Sequence, residues 1–283
     1  LFLLLCLMGL FAILSSTMSK NPVLPLFAES IGTPEYLMGI VAAASTIPGI
    51  LVSLPAGSLS DILGRRKVLI LSGIIFASAP FLYLLVTLPW QLIIVRFYHG
   101  FATAIFVPVA NATIAESFPK RRGEKISIFS SVTVVGRGVA PFLGGYILSV
   151  TSSNYHNLYV SVGVAGVIAL LVAITLPKME STENEEQHLQ KTIENKGFLG
   201  IWKKVIQNRG VLIASVVESA TYYTFGAFEY FLALYAKSIG LDEFRIGVVI
   251  GLQLVVVAIS KPFMGWGSDR IGRRIPIIIG LII

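Results

Sequence analysis

The stretch Gly57-Ser-Leu-Ser-Asp61-Ile-Leu-Gly64-Arg65-Arg66 returns, with changes, as Gly265-Trp-Gly-Ser-Asp269-Arg-Ile-Gly272-Arg273-Arg274, an offset of 208 residues. Ahead of each copy the same offset holds without a gap. Leu24, Leu26, Ala28, Ser30, Ile31, Gly32, Glu35, Gly39 and Val41 reappear as Leu232, Leu234, Ala236, Ser238, Ile239, Gly240, Glu243, Gly247 and Val249. Self-similarity over such a length decides the architecture before any single residue is weighed. The chain is built from two homologous halves.

Its solvent is a bilayer. Hydrophobic residues make up 55% of the 283 positions and charged residues only 13%, with a mean hydropathy of +0.81. Soluble domains carry about 25% charged residues, so a water-soluble core of this size is excluded. The net charge of +7 sits in short loops between apolar runs, the positive-inside pattern of a membrane protein. It forms no basic stripe, so a nucleic-acid partner is not expected. Cys6 is the single cysteine, within an apolar run, and has no partner in the sequence for an internal disulfide. The apolar start lacks a basic region and a small-residue cleavage site, so it does not read as a signal peptide. Leu1 and Ile283 both fall inside apolar runs, and both ends read as cut.

A membrane span needs about 20 apolar residues. Such windows lie near 1–28, 36–58, 67–87, 90–115, 126–150, 157–176, 209–236, 244–266 and from 275 onward. The expectation is eight spans and the start of a ninth. Pro22 and Pro25 interrupt the first and Pro48 and Pro55 the second, as at the bent helices of transporter cavities. Loops after spans two and four carry Arg65, Arg66 and Lys67, then Lys120, Arg121, Arg122 and Lys125, whereas the opposite loops have no basic cluster. The even-to-odd loops and the N-terminal end are therefore expected in the cytoplasm, with the protein in the cell membrane.

Three segments follow from this pattern. Residues 1–176 form a first six-helix bundle, 177–208 a cytoplasmic linker and 209–283 the start of a second bundle. The acidic, aperiodic run from Glu180 to Glu194 reads as flexible. Phe198, Leu199, Trp202, Val205 and Ile206 share a helical face beside Lys203 and Lys204, read either as an interfacial amphipathic helix or as a cytosolic loop.

The repeated stretch has a physical logic. Gly57 and Asp61 are one helical turn apart at the end of span two; the glycine admits a neighbouring helix, and the carboxylate suits a helix N-terminus or an arginine. Gly64 permits a tight turn. Arg65, Arg66 and Lys67 anchor span three at anionic headgroups. In span five, Gly136, Ala140 and Gly144 lay a smooth stripe, bent by Pro141, for backbone-to-backbone packing, expected against the other half. Arg96 in span four must find a cavity or a partner, or snorkel outward beside Trp90. His99 reads as a packed or cavity histidine. No His, Cys, Asp or Glu cluster has metal spacing, so neither a metal nor another cofactor is expected.

Span seven brings Glu218, Tyr222, Phe225 and Glu229 onto one stripe about 16 Å long. Two carboxylates and two aromatics suit a cavity for amphipathic or cationic organic compounds. A carboxylate there can take up and release a proton near neutral pH, or Glu218 simply pairs with a basic residue. Glu229 maps onto Asn21 at the repeat offset, so both are expected at the pseudo-symmetric centre. Lys20, Arg137 and Lys261 are further charges in apolar surroundings, each able to pair with Glu218 or Glu229.

These residues resemble those of the major facilitator superfamily. Gly57-x-Leu-x-Asp61-x-x-Gly64-Arg65-Arg66-Lys67 is similar to its loop-two signature. Arg96-Phe-Tyr-His-Gly100 resembles its Arg-x-x-x-Gly signature in span four, and Ala115-Glu116-Ser-Phe118-Pro119…Arg122-Gly123 its following loop. Gly136-x-x-x-Ala140-Pro141-x-x-Gly144-Gly145 is similar to the antiporter signature, with Ala140 replacing glycine. The resemblance implies an all-α helical bundle, here the first six-helix half and about half of the second. It also implies a cytoplasmic latch formed by Gly57, Asp61, Gly64, Arg65 and Arg66 and by their second copy Gly265, Asp269, Gly272, Arg273 and Arg274, a leak-proof seam at span five more typical of exporters, and a role in substrate binding or proton coupling for Arg96. The expected protein is a monomeric secondary active carrier working by alternating access, coupled to protons and exporting small organic or drug-like compounds. A sugar or metabolite facilitator is the alternative, and a non-transporting sensor a weaker one. Without a nucleotide-binding loop or a catalytic constellation, neither an ATP-driven pump nor an enzyme is expected. The repeat offset implies a complete chain of around 400 residues if each half has six spans.

Overall fold

The computed structural model describes residues 1–178, 207–272 and 278–280; among these, the side chains at 54, 55, 58, 214, 257–259 and 261–271 are not described. The described residues form helices joined by short turns: α1 (Phe2–Met18), α2 (Val23–Ser30), α3 (Glu35–Ala43), α4 (Thr46–Leu63), α5 (Arg65–Tyr83), α6 (Pro89–Ser117), α7 (Arg122–Val150), α8 (Tyr155–Thr175), α9 (Arg209–Ser238) and α10 (Glu243–Ile271). The fold is an all-α bundle, and seven segments among the described residues are long and apolar enough to cross a membrane. The chain is a multi-pass membrane protein. The eighth expected span lies on α10. Most of the ninth, the expected linker and its amphipathic segment lie outside the described residues.

Proline sets two breaks, though one is not where the sequence places it. The first span parts between α1 and α2, with Pro25 in the opening turn of α2. The second span parts at Ala44–Ser45, upstream of Pro48. Pro48 falls in the first turn of α4, where its missing N–H removes no intrahelical bond. Pro55 lies inside α4.

Small residues bring the helices of the first bundle together. A Cβ on Gly166 of α8 would stand 3.1 Å from Ala77 Cα of α5, and one on Gly73 of α5 3.2 Å from Leu170 Cα of α8. Around these approaches Leu5, Met8, Leu69, Phe76 and Phe106 are fully buried, the last two edge-to-face with centroids 5.9 Å apart. Outside, Ile50 is 71% and Leu85 72% exposed, the reversed surface expected where hydrocarbon is the solvent.

The repeat is also visible in the backbone. Gly32 and Gly240 take φ of +70° and +87°, and Gly64 and Gly272 +90° and +84°, each pair at the 208-residue offset. After α2 the Thr33 N–H donates to Ala28 O at 3.0 Å; after α9 the Leu241 N–H donates to Ala236 O at 3.1 Å. Both helices thus end in the same glycine cap.

The chain divides into two compact units, one of Leu1–Met179 with Leu232–Ala258, the other of Glu180–Phe231 with Ile259–Ile283.

Candidate functional site

The first copy of the repeated stretch is a three-helix staple. Gly64 turns the chain at positive φ, and the Arg65 guanidinium folds back over the end of α4 and across to the end of α6. Its Nη2 lies 2.5 Å from Asp61 Oδ1, its Nη1 donates to Ser60 Oγ at 2.7 Å, and its Nε donates to Glu116 Oε2 at 2.6 Å. Nη2 also meets Glu116 Oε1. A planar fork of fixed donors suits this bidentate grip, which a point charge could not make. The neighbouring cations have different work. Arg66 Nη2 donates to Ile174 O at 2.7 Å, capping the last turn of α8, while Lys67 is exposed. Anchoring therefore describes Lys67 better than Arg65.

A Cβ on Gly57 would meet nothing within 4 Å among the described residues, so the neighbouring helix expected there is not among them. Of the second copy, Gly272 keeps the turn geometry, the side chain of Asp269 and the surroundings of Gly265 are not described, and Arg273 and Arg274 lie outside the described residues.

Arg96 is 3% exposed and has found a partner rather than the membrane surface. Its Nη2 donates to Ser45 Oγ at 2.6 Å, at the break between α3 and α4. Gly100, one turn on, lets α6 approach: a Cβ there would stand 2.9 Å from Ser45 Cα. The break in span two and the Arg-x-x-x-Gly sequence of span four are thus one construction. His99 packs between the Tyr83 and Phe76 rings, with Tyr83 Oη 3.4 Å from its Nδ1. It is a buried, packed histidine, 3% exposed.

Span five departs from expectation in its direction. The stripe of Gly136, Ala140 and Gly144 faces α1 and α2 of the same half, not the other half. A Cβ on Gly136 would stand 2.7 Å from Leu10 O, and one on Gly144 3.4 Å from Met18 Cγ. The contact with the second half falls a third of a turn round. A Cβ on Gly145 would stand 2.6 Å from Glu243 O and 3.0 Å from Gly247 Cα, and one on Gly247 3.3 Å from the Pro141 carbonyl carbon. Pro141 and Gly145 thus make a backbone-to-backbone seam with Gly247 of α10.

Polar contacts extend the seam beyond the helix ends. Ser152 and Ser153 take φ of 53° and 60°, strained for residues with a Cβ, and Ser153 Oγ lies 2.5 Å from Glu243 Oε1. Nearby, Lys237 Nζ lies 2.7 Å from Glu29 Oε2. These two positions are themselves 208 residues apart. A side chain close to the pseudo-twofold axis meets its own repeat mate; two glutamates would repel there, and a glutamate with a lysine attracts. Exposed pairs contribute at most about 1 kcal/mol, so Glu29→Gln should change transport rates by less than about fivefold. Glu29→Lys should act more strongly, and adding Lys237→Glu should restore the rate. A double swap no better than Glu29→Lys alone, in reconstituted full-length protein, would show that the pair does not act as a unit.

Asn21 sits in the break between α1 and α2, 6% exposed. Glu218, Tyr222, Phe225 and Glu229 belong to the second unit; within α9 Glu218 and Tyr222 are exposed, and Phe225 and Glu229 half-buried. Lys261 lies on α10, its side chain not described. Ser60, Ser45, Ser153 and, beyond their places in the resemblance and the repeat, Glu116 and Gly247 have no site role in the sequence reading, nor does the Glu29–Lys237 pair. The last two were within reach: Gly247 is the repeat mate of Gly39, and the repeat offset alone pairs position 29 with 237.

Residues 5–283 match the Major Facilitator Superfamily. An uncharacterized MFS-type transporter of Methanocaldococcus jannaschii is 25% identical over 264 residues, covering 93% of this chain and 67% of the relative. A multi-drug resistance efflux pump of Streptococcus pneumoniae is 25% identical over 261 residues, covering 89% and 63%. Among solved structures, a bacterial homolog of the human lysosomal transporter Spinster matches with a TM-score of 0.78 at 19% identity, over 96% of this chain and 63% of that one. A D-xylose-proton symporter matches with a TM-score of 0.71 at 16% identity, over 96% and 69%. The chain thus spans about two-thirds of the length of the proteins it matches. With the doubled turn signature, the Arg96–Gly100 construction and the span-five seam all inside the matched region, the chain belongs to the Major Facilitator Superfamily.

Proposed function

We propose that the protein is a secondary active carrier that alternates between openings on the two sides of the cell membrane and exports small organic or drug-like compounds in exchange for protons. The observation that carries the reading is the glycine seam between Pro141/Gly145 and Gly247. A backbone-to-backbone contact between the two repeat copies is tight enough to exclude ions, yet it needs no side chain to unlock when the copies part. The relatives named as efflux pumps support the direction of transport. The symporter neighbour shares the fold alone, so sugar or metabolite uptake stays the second reading without a feature of this chain to favour it.

In this reading the six-helix bundle of residues 1–176 and the one that begins at 209 are the moving bodies, joined by the 177–208 linker. The latch end and the N-terminal end face the cytoplasm, the seam faces outward, and the carrier works as a monomer. Glu229 carries the coupling proton, with Glu218, Tyr222 and Phe225 on the same face of α9 receiving the cargo and Asn21 as the opposing repeat position.

The test uses the full-length protein in proteoliposomes with an imposed pH gradient, offered ethidium as a cation and D-xylose as a sugar. Ethidium-driven proton movement is expected in the wild type and lost in Glu229→Gln. Unchanged coupling in that variant would remove Glu229 from the role, and D-xylose transport without ethidium transport would replace the exporter with the facilitator.

A further inference from the structure

We infer that Ser153 and Glu243 form a catch at the edge of the glycine seam: closing the seam draws Ser153 into a left-handed backbone, and parting it lets the turn relax. Three turns in the protein share one design. α2 and α3, α7 and α8, and α9 and α10 are joined by residues 31–34, 151–154 and 239–242, connections of equal length. Each leading helix ends in the same cap, in which a backbone N–H donates five positions back. Thr33 donates to Ala28 O at 3.0 Å, Ser153 to Leu148 O at 2.8 Å and Leu241 to Ala236 O at 3.1 Å. Such a cap needs one left-handed residue, the one before the donor. Glycine fills that place at 32 and 240, and Ser152 fills it at the end of α7.

The turn after α7 has a second left-handed residue that its cap does not need. Ser153 takes φ of 60°, whereas Thr33 and Leu241, at the same place in their turns, do not take positive φ. A left-handed residue with a Cβ is disfavoured about tenfold, and neither the length of the connection nor its cap accounts for it. What sets Ser153 apart is its partner. Its hydroxyl donates to Glu243 Oε1 at 2.5 Å, with both residues half-buried. Glu243 opens α10, and its backbone oxygen is the atom that a Cβ on Gly145 would meet at 2.6 Å. One residue thus holds the seam with its backbone and the catch with its side chain.

The neighbouring charges have partners of their own. Asp242 accepts from the Arg245 backbone N–H at 2.8 Å and meets its Nε at 3.2 Å, and Glu29 pairs with Lys237. A hydrogen bond to a carboxylate is about twice as strong as one between neutral groups, enough to hold Ser153 left-handed while Glu243 is in reach. Once α10 moves away nothing opposes the strain, and Ser153 returns to negative φ, as at Thr33 and Leu241. The strain therefore offsets part of the hydrogen bond, so the seam closes in one defined geometry yet parts more readily than the bond alone would allow. The inference rests on the carrier reading for the parting of the seam.

The experiment uses full-length protein in lipid nanodiscs, without cargo or pH gradient, spin-labelled at Ser149 of α7 and Val249 of α10, both exposed. Ser153→Ala is expected to raise the ratio of parted to closed seam about fivefold, the hydrogen bond less the strain it sustains. Glu243→Ala should do the same, and the double variant no more than either single, because both remove one contact. Ser152→Gly relieves strain that the cap carries in both states, so it should raise the melting temperature and leave the ratio unchanged. The 13Cα signal of Ser153, assigned by its loss in Ser153→Ala, should lie at a left-handed shift in the wild type and move in Glu243→Ala. A ratio unmoved by Ser153→Ala, additive effects in the double variant, a ratio shifted by Ser152→Gly, or a Ser153 signal unmoved in Glu243→Ala would each overturn the catch. These readouts need no transport, so their failure is distinct from failure of the Glu229 test.

Discussion

Gly145→Leu is expected to abolish transport by the full-length protein while leaving it folded and inserted. Even the first carbon of the new side chain would stand 2.6 Å from Glu243 O and 3.0 Å from Gly247 Cα, both parts of the chain that cannot swing aside. α7 and α10 must therefore move apart, toward the usual helix spacing of about 8–10 Å. Overpacking a tight contact costs about 1–3 kcal/mol, and a leucine against backbone lies at the upper end. At about 1.4 kcal/mol per tenfold, states closed at the seam should lose roughly a hundredfold in population. A carrier that cannot close one end leaks or stalls. Spin labels at Ser149 and Arg245, both exposed, should report a longer distance in Gly145→Leu than in the wild type, and Gly145→Ala should fall between. Wild-type transport with an unlengthened distance would mean that the seam does not need glycine.

Much of this seam was legible as a need for small residues, but not its direction. The i, i+4, i+8 spacing of Gly136, Ala140 and Gly144 defines a stripe without saying what packs against it. The structure turns that stripe to α1 and assigns the second half to Pro141 and Gly145. Sequence spacing fixes azimuth along one helix, whereas the identity of the neighbour depends on how all the helices are arranged. The break in span two shows a similar limit. Pro48 signals an interruption, but proline is tolerated in the first turn of a helix, so the chain breaks ahead of it, at Ala44–Ser45. There the break supplies the Ser45 hydroxyl to Arg96, a partnership between residues 51 apart that no local pattern encodes.

The repeat was the most informative part of the sequence because it carries three-dimensional information. Positions at the same offset share glycine turns at 32 and 240 and at 64 and 272. Where a pair lies near the pseudo-twofold axis the offset even names the contact, as it does for Glu29 and Lys237. Divergence between the copies is then the informative event: one charge has changed sign, and an encounter that would repel becomes an attraction.

Arg65→Ala is expected to slow transport more than tenfold and to lower thermal stability, with membrane insertion intact. Arg65 holds Asp61 and Ser60 at the end of α4 and Glu116 at the end of α6. Its side chain is only 11% exposed, and that of Asp61 20%. Both are half-buried, so losing one partner costs between about 1 kcal/mol, as in an exposed pair, and about 3–5 kcal/mol, as in a buried one, with Glu116, 44% exposed, contributing least. Arg65→Lys retains the charge but not the fork, so it should recover only part of the loss. Asp61→Asn leaves the Glu116 contact in place and should slow turnover with a smaller fall in melting temperature. Glu116→Gln, on the far side of the staple, should resemble it. If simple anchoring were the role, Arg65→Lys would be fully active and the two carboxylate variants silent. Melting curves of the purified protein, a topology reporter and a proteoliposome flux assay on the same four variants separate the outcomes, and wild-type flux in Arg65→Ala would contradict the latch.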